Sequence, residues 1–267
     1  MNPTVQDILA ILERIAPAAA AEDWDNPGLQ IGNPLQEVGR IMTSLDPSLS
    51  VVREASRRKV QMLLTHHPLI FPSLSSVNRR TYPGDVIFEA CEAHIAILAA
   101  HTNLDAAQGG INDMLASLFR LANMDVLQED PTHPQRNIGR VGDLPEPQSL
   151  LSFAAETKRL LRCRIPRVSG DLDRQIRRVA LVGGSGGSLV PQASAMGADV
   201  LVTGDVGHHD ALRAKSLGLA LVDAGHFETE KIAFGLFTDA FKDILKREGW
   251  AVAVEAFEEE SNPMQWI

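Results

Sequence analysis

Only two cysteines, Cys91 and Cys163, occur in the 267 residues, far apart along the chain. So sparse a set excludes a disulfide framework and a thiolate metal site, and it suits a reducing compartment. No apolar run approaches the roughly 20 residues that span a bilayer, so no membrane partner is expected. Positive charge is also short: 25 Lys and Arg stand against 34 Asp and Glu, a formal net charge of -9. That balance argues against broad, sequence-independent nucleic-acid binding and leaves nucleic acid a disfavoured partner. The opening Met1-Asn2-Pro3-Thr4 lacks a basic-then-apolar signal, so the expected address is cytoplasmic.

What is present is an ordinary globular balance, 45% hydrophobic and 22% charged, in a chain long enough to bury a real core. Val5, Ile8, Leu9, Ile11, Leu12 and Ile15 recur at helical spacing behind Thr4, a suitable N-cap. An irregular loop and a short strand are expected over 24–32. Strands then alternate with helices: 40–45, 47–58, 60–65, 84–93, 95–100 and 111–121. The rhythm loosens over 128–178, where Asp130-Pro131-Thr132-His133-Pro134 and Leu144-Pro145-Glu146-Pro147 read as loop punctuation before a helix over 149–161. It resumes with strands at 179–182, 200–203, 220–223 and 251–257 and helices between them. The expected class is α/β: two lobes with mostly parallel sheets flanked by helices. The expected division is an N-terminal lobe over 1–127, a second lobe over 128–224, and a C-terminal segment, 225–267, returning to the first lobe.

Three clusters of imidazole and carboxylate follow apolar strand-like runs: Thr65-His66-His67-Pro68, His101-Thr102-Asn103-Leu104-Asp105, and His226-Phe227-Glu228-Thr229-Glu230. His, Asp and Glu hold zinc, manganese, iron or cobalt without thiolates, and three clusters offer more donors than one ion needs. A site for two divalent metals follows, in a cleft at the carboxyl ends of the strands, where open α/β sheets place their ligands. Strand alternation predicts that His66 and His67 diverge, each serving a different ion. His101/Asp105 and His226/Glu230 share a face if the backbone there is helical, and Glu230 is placed to bridge two cations.

Other motifs carry weaker signals. Asp25 and Asn26, beside Trp24, either line a substrate pocket or make a turn. Asp46 is read first as the N-cap of the next helix, and otherwise as approaching the metals. Gly183-Gly184-Ser185-Gly186-Gly187 permits a tight strand-to-helix turn, or touches a phosphate or a neighbouring subunit. Asp205, His208 and His209 either cap a helix or form a polar wall that contacts substrate and shuttles protons. Eight basic residues lie from Lys158 to Arg178, read first as a solvated face that the acidic tail 255–260 partly balances, and otherwise as a surface for a phosphorylated substrate, a nucleic acid or an acidic partner.

These motifs resemble a known family. Trp24-Asp25-Asn26-Pro27-Gly28-Leu29-Gln30-Ile31-Gly32, Thr65-His66-His67-Pro68-Leu69-Ile70-Phe71, His101 to Asp105 and Gly109-Gly110-Ile111-Asn112-Asp113 are similar to its amino-terminal signature. Thr203-Gly204-Asp205 with His208-His209, and Gly225-His226 with Glu230, are similar to its carboxy-terminal one. The family is that of the GTP cyclohydrolase I type 2 homologues, or Nif-three-like dinuclear metal proteins. Gly139-Arg140-Val141-Gly142 and Asn262-Pro263 extend the likeness over nearly the whole chain, which departs from the pattern at Pro27, where Val is expected. The resemblance implies that His67 and Asp105 bind one ion, His66 and His226 the other, and that Glu230 is shared. It places His101 near the site without making it a usual ligand. It further implies a ring-shaped homohexamer, a trimer of dimers, and a short form without the domain that some members insert mid-chain.

The function expected is metal-dependent hydrolysis of a small-molecule substrate, a nucleotide or phosphorylated compound, with His101 or His209 relaying the proton. Asp25, Asn26, Asp205 and His208 are the expected substrate contacts. The same ligands suit a phosphoesterase or peptidase. A non-catalytic hexameric scaffold or regulator that binds a protein or nucleic acid is the alternative.

Overall fold

The computed structural model describes residues 2–264, which divide into two compact units. Unit 1 comprises residues up to Ala107 together with Gly235–Ser261, and unit 2 runs from Gln108 to Phe234 and resumes at Asn262. The sequence placed the first change near 127/128, but the helix at Ile111–Leu118 already packs on the second sheet.

Unit 1 opens with α1 (Val5–Ile15), whose first turn is closed by Thr4 and Asp7 bonding each other's backbone N–H groups. Its apolar stripe, Val5, Ile8, Ile11 and Leu12, is buried, each such side chain contributing about 2 kcal/mol on folding. The sheet has the order β1 (Gly28–Ile31), β4 (Ala96–Ala99), β3 (Met62–Thr65), β2 (Arg40–Ser44) and β11 (Ala253–Ala256). All pairs are parallel except β1/β4. β3 and β4 are buried at every position, which explains their unbroken apolar character. Helices α2 (Leu49–Arg57) and α3 (Gly84–Glu92) pack on a core of Met42, Val52, Leu63, Val86 and Ile97. The register sets Ser44 beside Thr65 and Thr65 beside Ala99, so β2, β3 and β4 end at one edge. Antiparallel β1 starts there, with Gly28 opposite Ala99. The short helix α4 (Thr102–Ala106) follows β4 directly.

Unit 2 carries the sheet β5 (Ala122–Glu129), β6 (Asn137–Ser149), β8 (Gln175–Ser185), β9 (Val200–Gly204), β10 (Ala220–Asp223) and β7 (Arg167–Ser169), in that order. β8, β9 and β10 are parallel, and the strands outside them are antiparallel. Helix α5 (Ile111–Leu118) lies on this sheet, as do α6 (Leu150–Leu161), α7 (Val190–Ala195) and α8 (His208–Ser216). The stretch read as loop punctuation, Leu144 to Pro147, lies inside β6, at a break in its pairing with β8 between Asp143 and Gln148. Prolines without N–H groups are tolerated at such a break. Finally α9 (His226–Arg247) begins three residues after β10 and contributes residues to both units. Among the described residues no helix is long and apolar enough to cross a membrane.

Candidate metal centre

In unit 1 the shared strand edge gathers the donors. His66 and His67 follow β3, Asp46 follows β2, His101 follows β4, and Asp25 lies in the loop before β1. His66 is fully buried, and its Nδ1 donates to the Ala100 carbonyl at 2.9 Å. His67 Nδ1 donates to Asp46 Oδ1 at 2.8 Å, and His101 Nδ1 to Asp25 Oδ1 at 2.7 Å. Ligand atoms of these three imidazoles lie within 4.8 Å of one another. Asp105, on α4, brings Oδ1 to 3.7 Å from His66 Nε2. An imidazole whose Nδ1–H is committed to an oxygen presents its Nε2 lone pair, the form that binds a cation.

Three expectations change here. His66 and His67 do not diverge: their ring centres stand 5.1 Å apart, because β3 ends at Thr65 and strand alternation stops with it. Asp46 is not the cap of α2; Ser48 takes that place, accepting from the Val51 N–H, and Asp46 orients His67 instead. Asp25 has no exposed side-chain surface, so its carboxylate holds His101 and Thr102 rather than facing a substrate. Burial pushes the Asp25 carboxyl up, but hydrogen bonds from His101 and Thr102 and the His101 charge outweigh it, and its pKa is lowered. Asn26 ties two loops, donating to the Ile70 carbonyl at 2.8 Å.

In unit 2 the parallel strands β8, β9 and β10 also end together. His226, at the start of α9, donates from Nδ1 to Asp205 Oδ2 at 2.7 Å, and its Nε2 is 3.1 Å from Glu230 Oε1 one turn later. The Glu230 hydrogen bond is the main cause that raises the His226 pKa, to about 9; burial opposes it, and the charges of Glu230 and Asp205 reinforce it. Glu230 is buried. Asp205 adopts a left-handed backbone, φ +54°, which Asp tolerates better than most residues and which serves its hold on His226. It does not cap α8, whose first turn is closed by Asp210 accepting from the Gly207 N–H at 3.2 Å.

The glycine run has a definite task. Gly184, at φ +64°, lies so close to Glu230 Oε1 that a Cβ would overlap it, and the same Cβ would be 3.3 Å from His226 Nε2. A Cβ on Gly204 would overlap the backbone N of His226. Glycine at 184 and 204 leaves room for Glu230 and His226, which spacing alone did not reveal. His208 and His209 are exposed on the first turn of α8, ring centres 5.5 Å apart.

Much of the basic stretch is engaged within unit 2. Arg167 bonds Asp223, Arg174 bonds Asp199 and the Gly218 carbonyl, and Arg178 bonds Asp143 and the Met196 carbonyl. The acidic tail is used elsewhere: Glu255 pairs with Arg58, and Glu260 accepts from the N–H groups of Leu45 and Asp46.

Each of the two α/β units presents oriented imidazole and carboxylate donors at the carboxyl edge of its sheet, groups that could hold a metal ion. The chain belongs to the Duf34/NIF3 (NGG1p interacting factor 3) family, whose profile it matches over residues 3–263. It is 35% identical over 266 residues to the GTP cyclohydrolase 1 type 2 homolog of Streptomyces coelicolor, covering 98% of this chain and 93% of that one. The Bacillus subtilis homolog is 27% identical across 98% of each chain, in an alignment of 367 positions, so that relative carries an insertion this chain lacks. The fold is similar to that of a Staphylococcus aureus hypothetical protein, with a TM-score of 0.94 and 30% identity over 100% of both chains.

Proposed function

We propose that the protein binds two divalent metal ions and uses them to hydrolyse a nucleotide or another phosphorylated small molecule. The observation that carries this is the treatment of four imidazoles. His66, His67, His101 and His226 each commit Nδ1 to an oxygen, from Ala100, Asp46, Asp25 and Asp205 respectively. A buried or half-buried ring held in this way is the arrangement found behind metal ligands. In this reading the donors are His66, His67, Asp105, His226 and Glu230, the set the family resemblance implies. All are nitrogen or oxygen donors, a set that fits zinc, manganese, iron or cobalt.

Bound there, a pair of such ions lowers the pKa of a water and stabilises a leaving oxygen. The protein's own contribution is orientation and proton transfer. Asp25 holds the His101 ring by Nδ1 beside the other imidazoles, which suits His101 to proton relay. His209 is exposed on α8, its ring beside that of His208. A ring-shaped homohexamer in the cytoplasm belongs to the same proposal and rests on the family resemblance.

The test is metal content per subunit in protein purified without a metal-affinity tag, alongside a panel of nucleotides and phosphate esters. About two ions, and turnover lost on Asp105→Ala or Glu230→Ala, are the expected results. No stoichiometric metal after reconstitution with zinc, manganese, iron(II) or cobalt refutes the proposal.

A further inference from the structure

Two large aromatic side chains stand open to solvent beside the imidazoles of unit 1. Trp24 is 57% exposed and Phe71 48%. Their rings meet edge to face, 5.6 Å between centres at 68°. The Trp24 indole also meets the His101 ring, 5.9 Å between centres at 75°. A single exposed apolar residue such as Leu35 needs no explanation. Two touching aromatic rings that adjoin a cluster of imidazoles are a different matter, because neither metal binding nor proton relay requires them.

The pair is also held in place. Asn26 Nδ2 donates to the Ile70 carbonyl at 2.8 Å, and the Ile70 N–H donates to Gln30 Oε1 at 3.2 Å. Gln30 Nε2 donates in turn to the Asn26 carbonyl at 2.7 Å. These bonds join the loop that carries Trp24 to the loop that carries Phe71, one residue from each ring-bearing position or two. The aromatic wall is therefore ordered before any ligand arrives, so little conformational freedom is lost on binding. Below it, the buried Asp25 carboxylate fixes His101 and so fixes the wall's distance from the imidazoles.

We propose that Trp24 and Phe71 are a stacking platform for a planar heteroaromatic ring in the substrate. The substrate class is then a ring-bearing compound such as a purine nucleotide, not a simple phosphate ester or a peptide. The proposal rests on the hydrolase reading in taking that compound to be the molecule cleaved. Aromatic stacking tolerates different bases, since each presents a π face, so the platform selects for a ring more strongly than for a particular one.

The experiment is calorimetric titration of the full-length protein, zinc-loaded and metal-free, with adenosine 5′-monophosphate, guanosine 5′-monophosphate and ribose 5-phosphate. The three share the sugar and phosphate and differ in the ring. Wild type binds either nucleotide about 10-fold more tightly than ribose 5-phosphate. Trp24→Ala and Phe71→Ala bring that ratio close to one, while affinity for ribose 5-phosphate and metal content stay unchanged. Trp24→Phe retains most of the ratio. A wild-type ratio near one, or a ratio that survives in Trp24→Ala, overturns the platform. So does a change in particle mass in Trp24→Ala, which assigns the pair to a subunit contact. Metal content after reconstitution reports separately: stoichiometric metal with no ring preference sinks the platform alone, and ring preference in protein that takes up neither zinc, manganese, iron(II) nor cobalt sinks the hydrolase reading alone.

Discussion

Replacing Gly184 with alanine adds one methyl group, and the structure says where it goes. The backbone is pinned on both sides: the Gly184 N–H donates to Thr229 Oγ1 at 3.0 Å, and its carbonyl accepts from Thr203 Oγ1 at 3.0 Å. The main chain therefore cannot retreat without losing buried hydrogen bonds. The new Cβ overlaps Glu230 Oε1, so the carboxylate must turn away from His226. Two costs follow. The left-handed backbone at φ +64° costs roughly 1–2 kcal/mol for alanine. Displacement of a ligand from its orientation costs metal affinity about 10–100-fold, or about 1.4–2.7 kcal/mol. Gly197→Ala separates the two, since Gly197 has φ +71° with nothing within 4 Å of its Cβ position. Urea unfolding of the metal-free proteins should show the backbone cost in both variants and a larger loss in Gly184→Ala, whose Glu230 no longer reaches His226. Competition titration of zinc against a chromophoric chelator should show weakened binding in Gly184→Ala alone. Equal zinc affinity in the two variants would refute the placement of Glu230 among the ligands.

Three further outcomes are expected. Asp46→Ala removes the acceptor of the His67 Nδ1 proton and should weaken metal binding about 10–100-fold in the same titration, with Asp46→Asn intermediate; unchanged affinity in both denies Asp46 a positioning role. In the metal-free protein the His226 pKa is raised to about 9 from 6.5, so its stabilising contribution is complete below about pH 6.5 and is lost as pH rises through 9. The stability difference between wild type and His226→Gln, followed by urea unfolding from pH 6 to 10, should shrink accordingly, and a difference independent of pH contradicts it. Burial pushes the Cys163 thiol up to about 11 while Cys91 is exposed, so a thiol reagent at pH 8 should modify one cysteine quickly and the second only on unfolding. Two fast thiols count against the packing of Cys163.

The sequence made some of this legible and hid the rest for identifiable reasons. Strands β2, β3, β4, β8, β9 and β10 announce themselves because parallel strands covered on both faces are continuous apolar runs. β5, β6 and β7 are antiparallel and partly exposed, and β6 contains Pro145 and Pro147, so they look like loop. The imidazoles and carboxylates of the three clusters stand out because each follows a strand end. Their supports do not. Asp46 and Ser48 are both good N-caps, and only the folded chain shows which caps α2 and which holds His67. The acceptor for His66 is the backbone carbonyl of Ala100, a group every residue possesses. Gly184 reads as a turn glycine because its neighbour, Glu230, is 46 positions away in the sequence and becomes a contact only through the packing of α9 beside β8.

The raised pKa of His226 also shows what the acidic donors require. Asp205 and Glu230 face one imidazole from its two ring nitrogens, at 2.7 Å and 3.1 Å. Without a cation, the ring answers the two carboxylates by holding a second proton, and that is why its pKa reaches about 9. A divalent ion held by His226 and Glu230 would take the place of that proton, with Asp205 keeping the ring in position. On the metal-binding reading, ion uptake would release that proton, and affinity is expected to fall as pH is lowered. The oxygen behind each ring would serve both states, holding the imidazole's orientation with or without an ion.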